Sequence, residues 1–251
     1  MLRSLWSAAA GMYAQQLRVD TIANNLANIN TPGYKRVRTE FQDLLYQQLA
    51  GDAAGVTVEV GNGVRLSATN RIFIQGNLLE TGNPLDLALE GDGFFVVNLP
   101  QGGRAFTRDG SFKLSSDGRL VTSEGYEVVM DGSGRMPEGT VEISVAADGT
   151  VSALVGGSDQ PREVGTLRLA TFPNPAGLAA IGHNLYRETR ASGEARYGAS
   201  ARVVQGYLEA ANVELVGEMV ALIMAQRAYE LNSRSVKAAD EMLALANNLR
   251  R

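Results

Sequence analysis

The chain has no cysteine and a single histidine, His183, among its 251 residues. Without thiols there is no disulfide framework, no thiolate metal site and no cysteine nucleophile. One imidazole cannot build a multi-histidine metal site or a histidine-paired relay. A dominant charge is missing too: 23 basic residues stand against 27 acidic ones, net −4. That balance speaks against a nucleic-acid binder, whose affinity comes from neutralising phosphates. No run approaches the ~18 consecutive apolar residues that span a bilayer, so no membrane insertion is expected. The opening MLRSLWSAAAGM resembles a signal peptide only superficially, because Arg3, Ser4 and Ser7 break a short apolar run; no cleaved signal is expected.

Chemical motifs are also scarce. Gly61 to Leu66 lacks the third glycine of a phosphate-cradling turn, and no G-x-x-x-x-G-K-[ST] or G-x-S-x-G occurs. The densest carboxylate group is Asp86, Glu90 and Asp92, but Asp92 belongs to an Asp-Gly dipeptide. Acids in such turns serve backbone hydrogen bonds. No catalytic residue, metal site or cofactor is expected, and no enzyme.

What the chain does have is glycine, 28 residues, distributed unevenly. Residues 1–45 hold only Gly11 and Gly33, and residues 213–251 only Gly217. All prolines but Pro32 lie between these ends. Glycine and proline punctuate turns and are excluded from helix interiors. The order read from this is helix, β-rich middle, helix: an α+β chain.

Both ends carry helical periodicity. Leu5, Met12, Val19 and Leu26 recur every seven residues, with Ala8, Gln15, Ile22 and Ile29 beside them. That is a two-row seam with one polar member, Gln15. The helix should stop near Asn30, because Pro32 pushes the preceding residue out of the helical region. At the other end Ala221, Met224, Ala228, Leu231, Ser235, Ala238, Met242, Leu245 and Leu249 alternate +3 and +4. A second row, Leu215, Met219, Leu222, Tyr229, Val236 and Leu243, runs beside it. Two apolar rows need cover on more than one side, so the terminal helices are expected to pair as a coiled coil and to meet other copies. On pattern alone, an ordinary α+β domain with its terminal helices packed together stands equally open.

The middle reads as hairpins. It holds five Asp-Gly pairs, beginning at Asp92, Asp109, Asp117, Asp131 and Asp148, plus Asn62-Gly63. Flanked by alternating apolar residues, such pairs are the strongest short hairpin signal. The clearest are those at Asp117 and Asp148, and Gly91-Asp92-Gly93 should turn into a buried strand, Phe94 to Val97. The expected division is 1–45 as N-terminal helix and turn, 46–70 as connection, 71–212 as β-rich middle and 213–251 as C-terminal helix. A break near residues 156–159 hints at two lobes in the middle. The run Asn24, Asn25, Asn28 and Asn30 sits oddly on an apolar seam, since asparagine competes for the backbone. Amide bonds to neighbouring subunits are the favoured reading over a frayed helix end.

Several stretches together carry a resemblance. Ser4-Leu5-Trp6, Gly11-Met12, Gln15-Gln16 and IANNLANINTPGYKR resemble the N-terminal signature of the bacterial flagellar rod and hook proteins. MVALIMAQRAYELNSRSVKAADEM, from Met219, resembles their C-terminal signature. IQGNLLETGNPLDLALEGDGFFVV and FTRDGSFKLSSDGRLVTSEGYEVV resemble the core of their β domain. The likeness covers nearly the whole chain, and RSLW and FQDLLYQ make it most similar to the distal rod members.

The resemblance implies a structural subunit without enzymatic activity or cofactor, which polymerises with itself into the axial tube of the basal body. The expected neighbours are proximal rod proteins, the hook and its junction, and P- and L-ring proteins where the cell has an outer membrane. Export would run through the flagellar type III apparatus. The family motif falls on Asn24, Asn25, Asn28, Thr31, Pro32 and Gly33, and on Gln226, Arg227 and Tyr229. The assembly seam would comprise Leu5, Met12, Val19, Ile22, Leu26 and Ile29, with Met224, Ala228, Leu231, Met242, Leu245 and Leu249. A segment associated with rod rigidity, marked by Tyr46, Gly51, Val58 and Gly63, is shorter here than in many distal rod members.

Overall fold

The computed structural model describes residues 2–50, 57–100, 102–156, 160–198 and 201–248. Helix α1 runs Leu2–Ala27 and helix α2 runs Leu215–Asn248, with short antiparallel strands between them. The α+β class and the helix, hairpin-rich middle, helix order therefore hold. α1 stops three residues before the expected Asn30. Residues 28–30 form a turn in which Thr31 donates its N–H to the Asn28 carbonyl at 3.1 Å.

The chain divides into two compact units. One combines residues 1–27, 37–71 and 214–251; the other combines residues 28–36 and 72–213. The N-terminal stretch is thus shared out: α1 goes to the helical unit, the turn after it to the β unit, and the strands that follow return to the helical unit.

In the helical unit α1 and α2 pack against each other. The Asn25 amide reaches Glu218 at 3.4 Å, and a Cβ on Gly11 would stand 2.8 Å from the Asn232 amide. Between these two points each helix advances fourteen residues in opposite directions, so the pair is antiparallel. The same unit holds a β-ribbon. Val37–Asp43 pairs with Val64–Arg71, with a register shift after Glu40, and Gln47–Ala50 pairs with Thr57–Val60. Val37–Asp43 lies where the N-terminal helix and turn were expected, and the other three strands lie where a connection was expected; the burial of Val37–Asp43 and Val64–Arg71 alternates only weakly.

The β unit is built around strand Phe94–Asn98. Its first four residues are apolar and all buried. Successive side chains of a strand point to opposite faces. Phe95 and Val97 therefore enter one core with Leu87, Phe112 and Val151, while Phe94 and Val96 enter a second with Phe106, Phe172 and Tyr186. Edge-to-face rings tighten both: Phe95 on Phe112 at 5.0 Å and Phe106 on Phe172 at 4.7 Å. This is a strand covered on both faces, which reads as a continuous apolar run. The two clearest of the expected hairpins are present, whereas Asp131-Gly132 lies inside the strand Met130–Gly132, and the strands flanking Asp92-Gly93 and Asn62-Gly63 pair with other strands. Lys113–Leu114 pairs with Leu120–Val121 across Asp117-Gly118, and Thr140–Val145 pairs with Thr150–Val155 across Asp148-Gly149.

Asp109-Gly110 is a different device. A Cβ on Gly110 would fall 1.6 Å from the Leu87 carbonyl oxygen. Glycine serves there for close backbone approach, and no hairpin turns on it.

Candidate functional site

Two places gather the residues the sequence singles out, one in each unit. The first is the helix pair. Its buried residues are mostly small or polar: Ala14 and Asn25 of α1 with one large residue, Ile22, and Glu218, Ala225 and Ala239 of α2. Glu218, Ala225, Asn232 and Ala239 are spaced by seven, a heptad row whose two alanines let the helices approach closely. Asn25 is held inside the chain. It donates to the Val37 carbonyl at 2.9 Å, accepts from the Val37 N–H at 3.0 Å and also reaches Glu218. For Asn25, the expectation of amide bonds to neighbouring subunits gives way to this intrachain clamp. The cause is geometric: the bend after α1 brings Val37 alongside the last turn of the helix.

Apart from Ile22, the large apolar members of the predicted seam are less buried. Leu5, Met12, Val19 and Leu26 are half-buried, as is Ala228. Met224, Leu231, Met242 and Leu245 are exposed, and so are Trp6, Tyr13, Met219 and Ile223. Within one chain α2 thus meets α1 through its alanine row and turns its methionines and leucines outward. Ile29 belongs to the turn of the β unit, and Leu249 lies outside the described residues. Gln226 and Tyr229 of the family motif join Gln16 and Val19 of α1, with Glu230, around a groove of about 430 Å³. Arg227 donates to Glu230 at 3.1 Å.

In the β-ribbon, Tyr46 is exposed. Gly63 lies against α1, where an added Cβ would be 3.4 Å from Ser7 and Ala10, and its carbonyl accepts from Leu44 at 2.9 Å. Gly51 lies outside the described residues. Val58 is in the strand Thr57–Val60.

The second place is the docking of residues 28–36 on the β unit. Gly33 has φ +68°, and a Cβ there would lie 2.5 Å from the Asp109 nitrogen, so this turn accepts only glycine. The Gly33 N–H donates to the Glu209 carbonyl at 2.7 Å. The Asn184 amide donates to the Pro32 carbonyl at 3.0 Å. Two residues after Gly33 comes Lys35, completely buried. Its ammonium meets the Glu209 carboxylate at 2.5 Å and the Ile74 carbonyl at 2.8 Å. The second Glu209 oxygen accepts from Arg108 at 3.3 Å. Arg108 also donates to the Gly91 carbonyl at 2.8 Å and lies over the Phe94 ring. Burial pushes Lys35 below the usual lysine range, opposed by the Glu209 charge. Burial likewise pushes Arg108 down, opposed by Glu209 and by Asp92. Two cations around one buried carboxylate form a clip that pins the turn after α1. Nothing in the sequence marked Glu209, which stands 174 residues from Lys35.

The remaining polar candidates are structural. His183 and Asn184, both at positive φ, make the two-residue turn between strands Ala179–Gly182 and Leu185–Arg187. Asp86 accepts from Thr81 at 2.7 Å and from Asn83 at 3.1 Å, closing a turn. Among the described residues no group of three or more histidines or acids could hold a metal ion.

Known families match three stretches of this sequence. Residues 5–35 match the family described as Flagella basal body rod protein. Residues 88–153 match the Flagellar hook protein FlgE/F/G D1 domain, and residues 204–249 match the Flagellar basal body rod FlgEFG protein C-terminal family. Among relatives, the flagellar basal-body rod protein FlgG of Borreliella burgdorferi is 47% identical, with the alignment covering 100% of both chains. That of Caulobacter vibrioides is 43% identical, over 99% of this chain and 100% of the relative. That of Bacillus subtilis is 38% identical, over 100% of each. The terminal helices, the turn between Asn28 and Arg36 and the β core all fall within these matches, and the chain belongs to the FlgG family of flagellar basal-body rod proteins.

Proposed function

We propose that the chain is the distal rod subunit of the flagellar basal body, polymerising with itself into the shaft that carries torque from motor to hook. It is a structural part and performs no catalysis. The observation that carries the reading is the outward-facing apolar stripe on a helix pair whose internal contact is already complete without it. Burying each leucine or methionine on assembly contributes about 1.5–3 kcal/mol, repeated at every equivalent contact along a tube. A head-to-tail contact that does not close generates an open helix instead of a ring.

In this reading the terminal helices form a coiled coil lining the tube and the β unit lies outside it. Neighbouring axial proteins, the proximal rod and the hook, are met at the two ends, and the subunit travels through the flagellar export channel. The segment from Tyr46 to Gly63 braces one subunit on the next. Electron microscopy of the purified full-length chain tests the reading: straight helical tubes are expected, and only monomers or closed rings would overturn it. In a strain lacking this chain, basal bodies should end short of the hook; rods of normal length would exclude the distal position.

A further inference from the structure

The helix pair carries a knob and a hole that cannot meet within one chain. The knob is Trp6, the sole tryptophan, whose side chain is 76% exposed on α1. The hole is the groove of about 430 Å³ lined by Gln16, Val19, Gln226, Tyr229 and Glu230. At 1.5 Å per helical residue, Trp6 lies roughly 15–20 Å along α1 from Gln16 and Val19, out of reach of its own groove. The groove suits an indole. Val19 and Tyr229 offer an apolar wall and an aromatic edge, while the amide oxygens of Gln16 and Gln226 and the Glu230 carboxylate are acceptors for its N–H. A buried tryptophan N–H seeks such a partner.

We infer that Trp6 of one copy seats in the Gln16–Val19–Gln226–Tyr229–Glu230 groove of a second copy, fixing the axial step between adjacent subunits. This rests on the self-assembly proposed above and names the contact that sets its register. A second copy is favoured over a single unrelated partner because repeated copies of this chain cover several sides of the helix pair at once. Trp6 and Tyr13 of α1 and Met219, Ile223, Met224 and Leu231 of α2 are exposed and face more than one side of the helix pair. Because knob and hole occupy different parts of the same helix pair, each copy offers both, and the contact is head-to-tail, the kind an open filament needs.

Two measurements test it. In wild-type protein the only indole is Trp6, so its emission should shift to the blue and lose acrylamide quenching when tubes form. The cysteine-free background allows a second probe. Trp6→Cys combined with Gln226→Cys should give a ladder of covalent multimers on oxidation, while Trp6→Cys with Val141→Cys, on the β unit, should not. The antiparallel alignment sets positions 6 and 226 of one chain roughly 16 Å apart along the helices, beyond the ~7 Å Cα separation a disulfide bridges. Any ladder is therefore between copies. Tubes with an unshifted indole, or a ladder no stronger than the control, would overturn the Trp6 contact and leave self-assembly standing. If the double variant does not assemble, the wild-type emission decides alone. Absence of wild-type tubes would overturn the self-assembly reading itself.

Discussion

The two units spend their apolar residues in opposite ways. The β unit puts its phenylalanines inside: Phe94, Phe95, Phe106, Phe112 and Phe172 are all buried. The helical unit buries alanines and leaves Trp6, Met224, Leu231 and Leu245 in water. A hydrophobic side chain inside its own unit stabilises the monomer. One left outside stabilises only whatever comes to cover it. The β unit is therefore complete as a single chain, and the helical unit becomes complete in the assembly.

The sharpest way to break that contrast is to damage each unit in turn. Leu231→Asp, on the outward stripe, is expected to abolish tube formation while leaving the thermal midpoint of the dilute monomer nearly unchanged. Phe106→Ala should do the reverse, lowering monomer stability by about 3–5 kcal/mol through the lost transfer energy and the cavity left behind. Paired calorimetry and electron microscopy on the two variants read both quantities. A monomer destabilised by Leu231→Asp would mean that the stripe is already covered within the chain.

Next in size is the clip on residues 28–36. Glu209→Ala leaves the Lys35 and Arg108 charges buried without their anion. Removing one partner of a buried ion pair costs about 3–5 kcal/mol, because the other charge remains desolvated. The loss should appear in urea unfolding of the β unit, together with faster hydrogen exchange at Gly33, whose N–H is bonded to the Glu209 carbonyl. If Gly33 stayed protected while global stability fell, the clip would support the core without holding the turn.

How much of this was legible depended on the range of the signal. Glycine-poor ends and the pairs Asp117-Gly118 and Asp148-Gly149 are local features, and each gave its helix or hairpin. The continuous apolar run Phe94 to Val97 gave a buried strand for the same reason. Which helix face meets which neighbour was not local. Periodicity ranks rows by hydrophobicity, and the row of Met224, Leu231 and Leu245 outranks Glu218, Ala225 and Ala239. Yet close helix approach needs short side chains, so the weaker row makes the intrachain contact. Lys35 with Glu209 was illegible because nothing in either neighbourhood announces a partner so distant in sequence. Gly110 was misread because Asp-Gly is the same dipeptide whether glycine serves a turn or a close approach.

The smallest effect sharpens the comparison from the side of the β unit's own turns. Asp148 accepts the Thr150 N–H at 3.0 Å, and this bond holds its carboxyl below the ordinary value of 3.8. The folded protein therefore holds the proton less tightly than the unfolded chain. The stabilisation is fully present above pH 3.8 and is lost as pH falls through the lower, folded value. Because Asp148 is fully exposed, the gain is local to the hairpin Thr140–Val145 and Thr150–Val155. Hydrogen exchange of that hairpin should slow in the wild type relative to Asp148→Ala at neutral pH, and the difference should vanish in strong acid. A difference that persisted unchanged into acid would assign the stabilisation to the shape of the turn and not to the ionised carboxylate. The exposed stripe of α2 has no carboxylate among Met224, Leu231, Met242 and Leu245, so those residues should stay indifferent to the same titration. The acid window thus separates a turn that belongs to the monomer from a surface whose stabilisation awaits the next subunit.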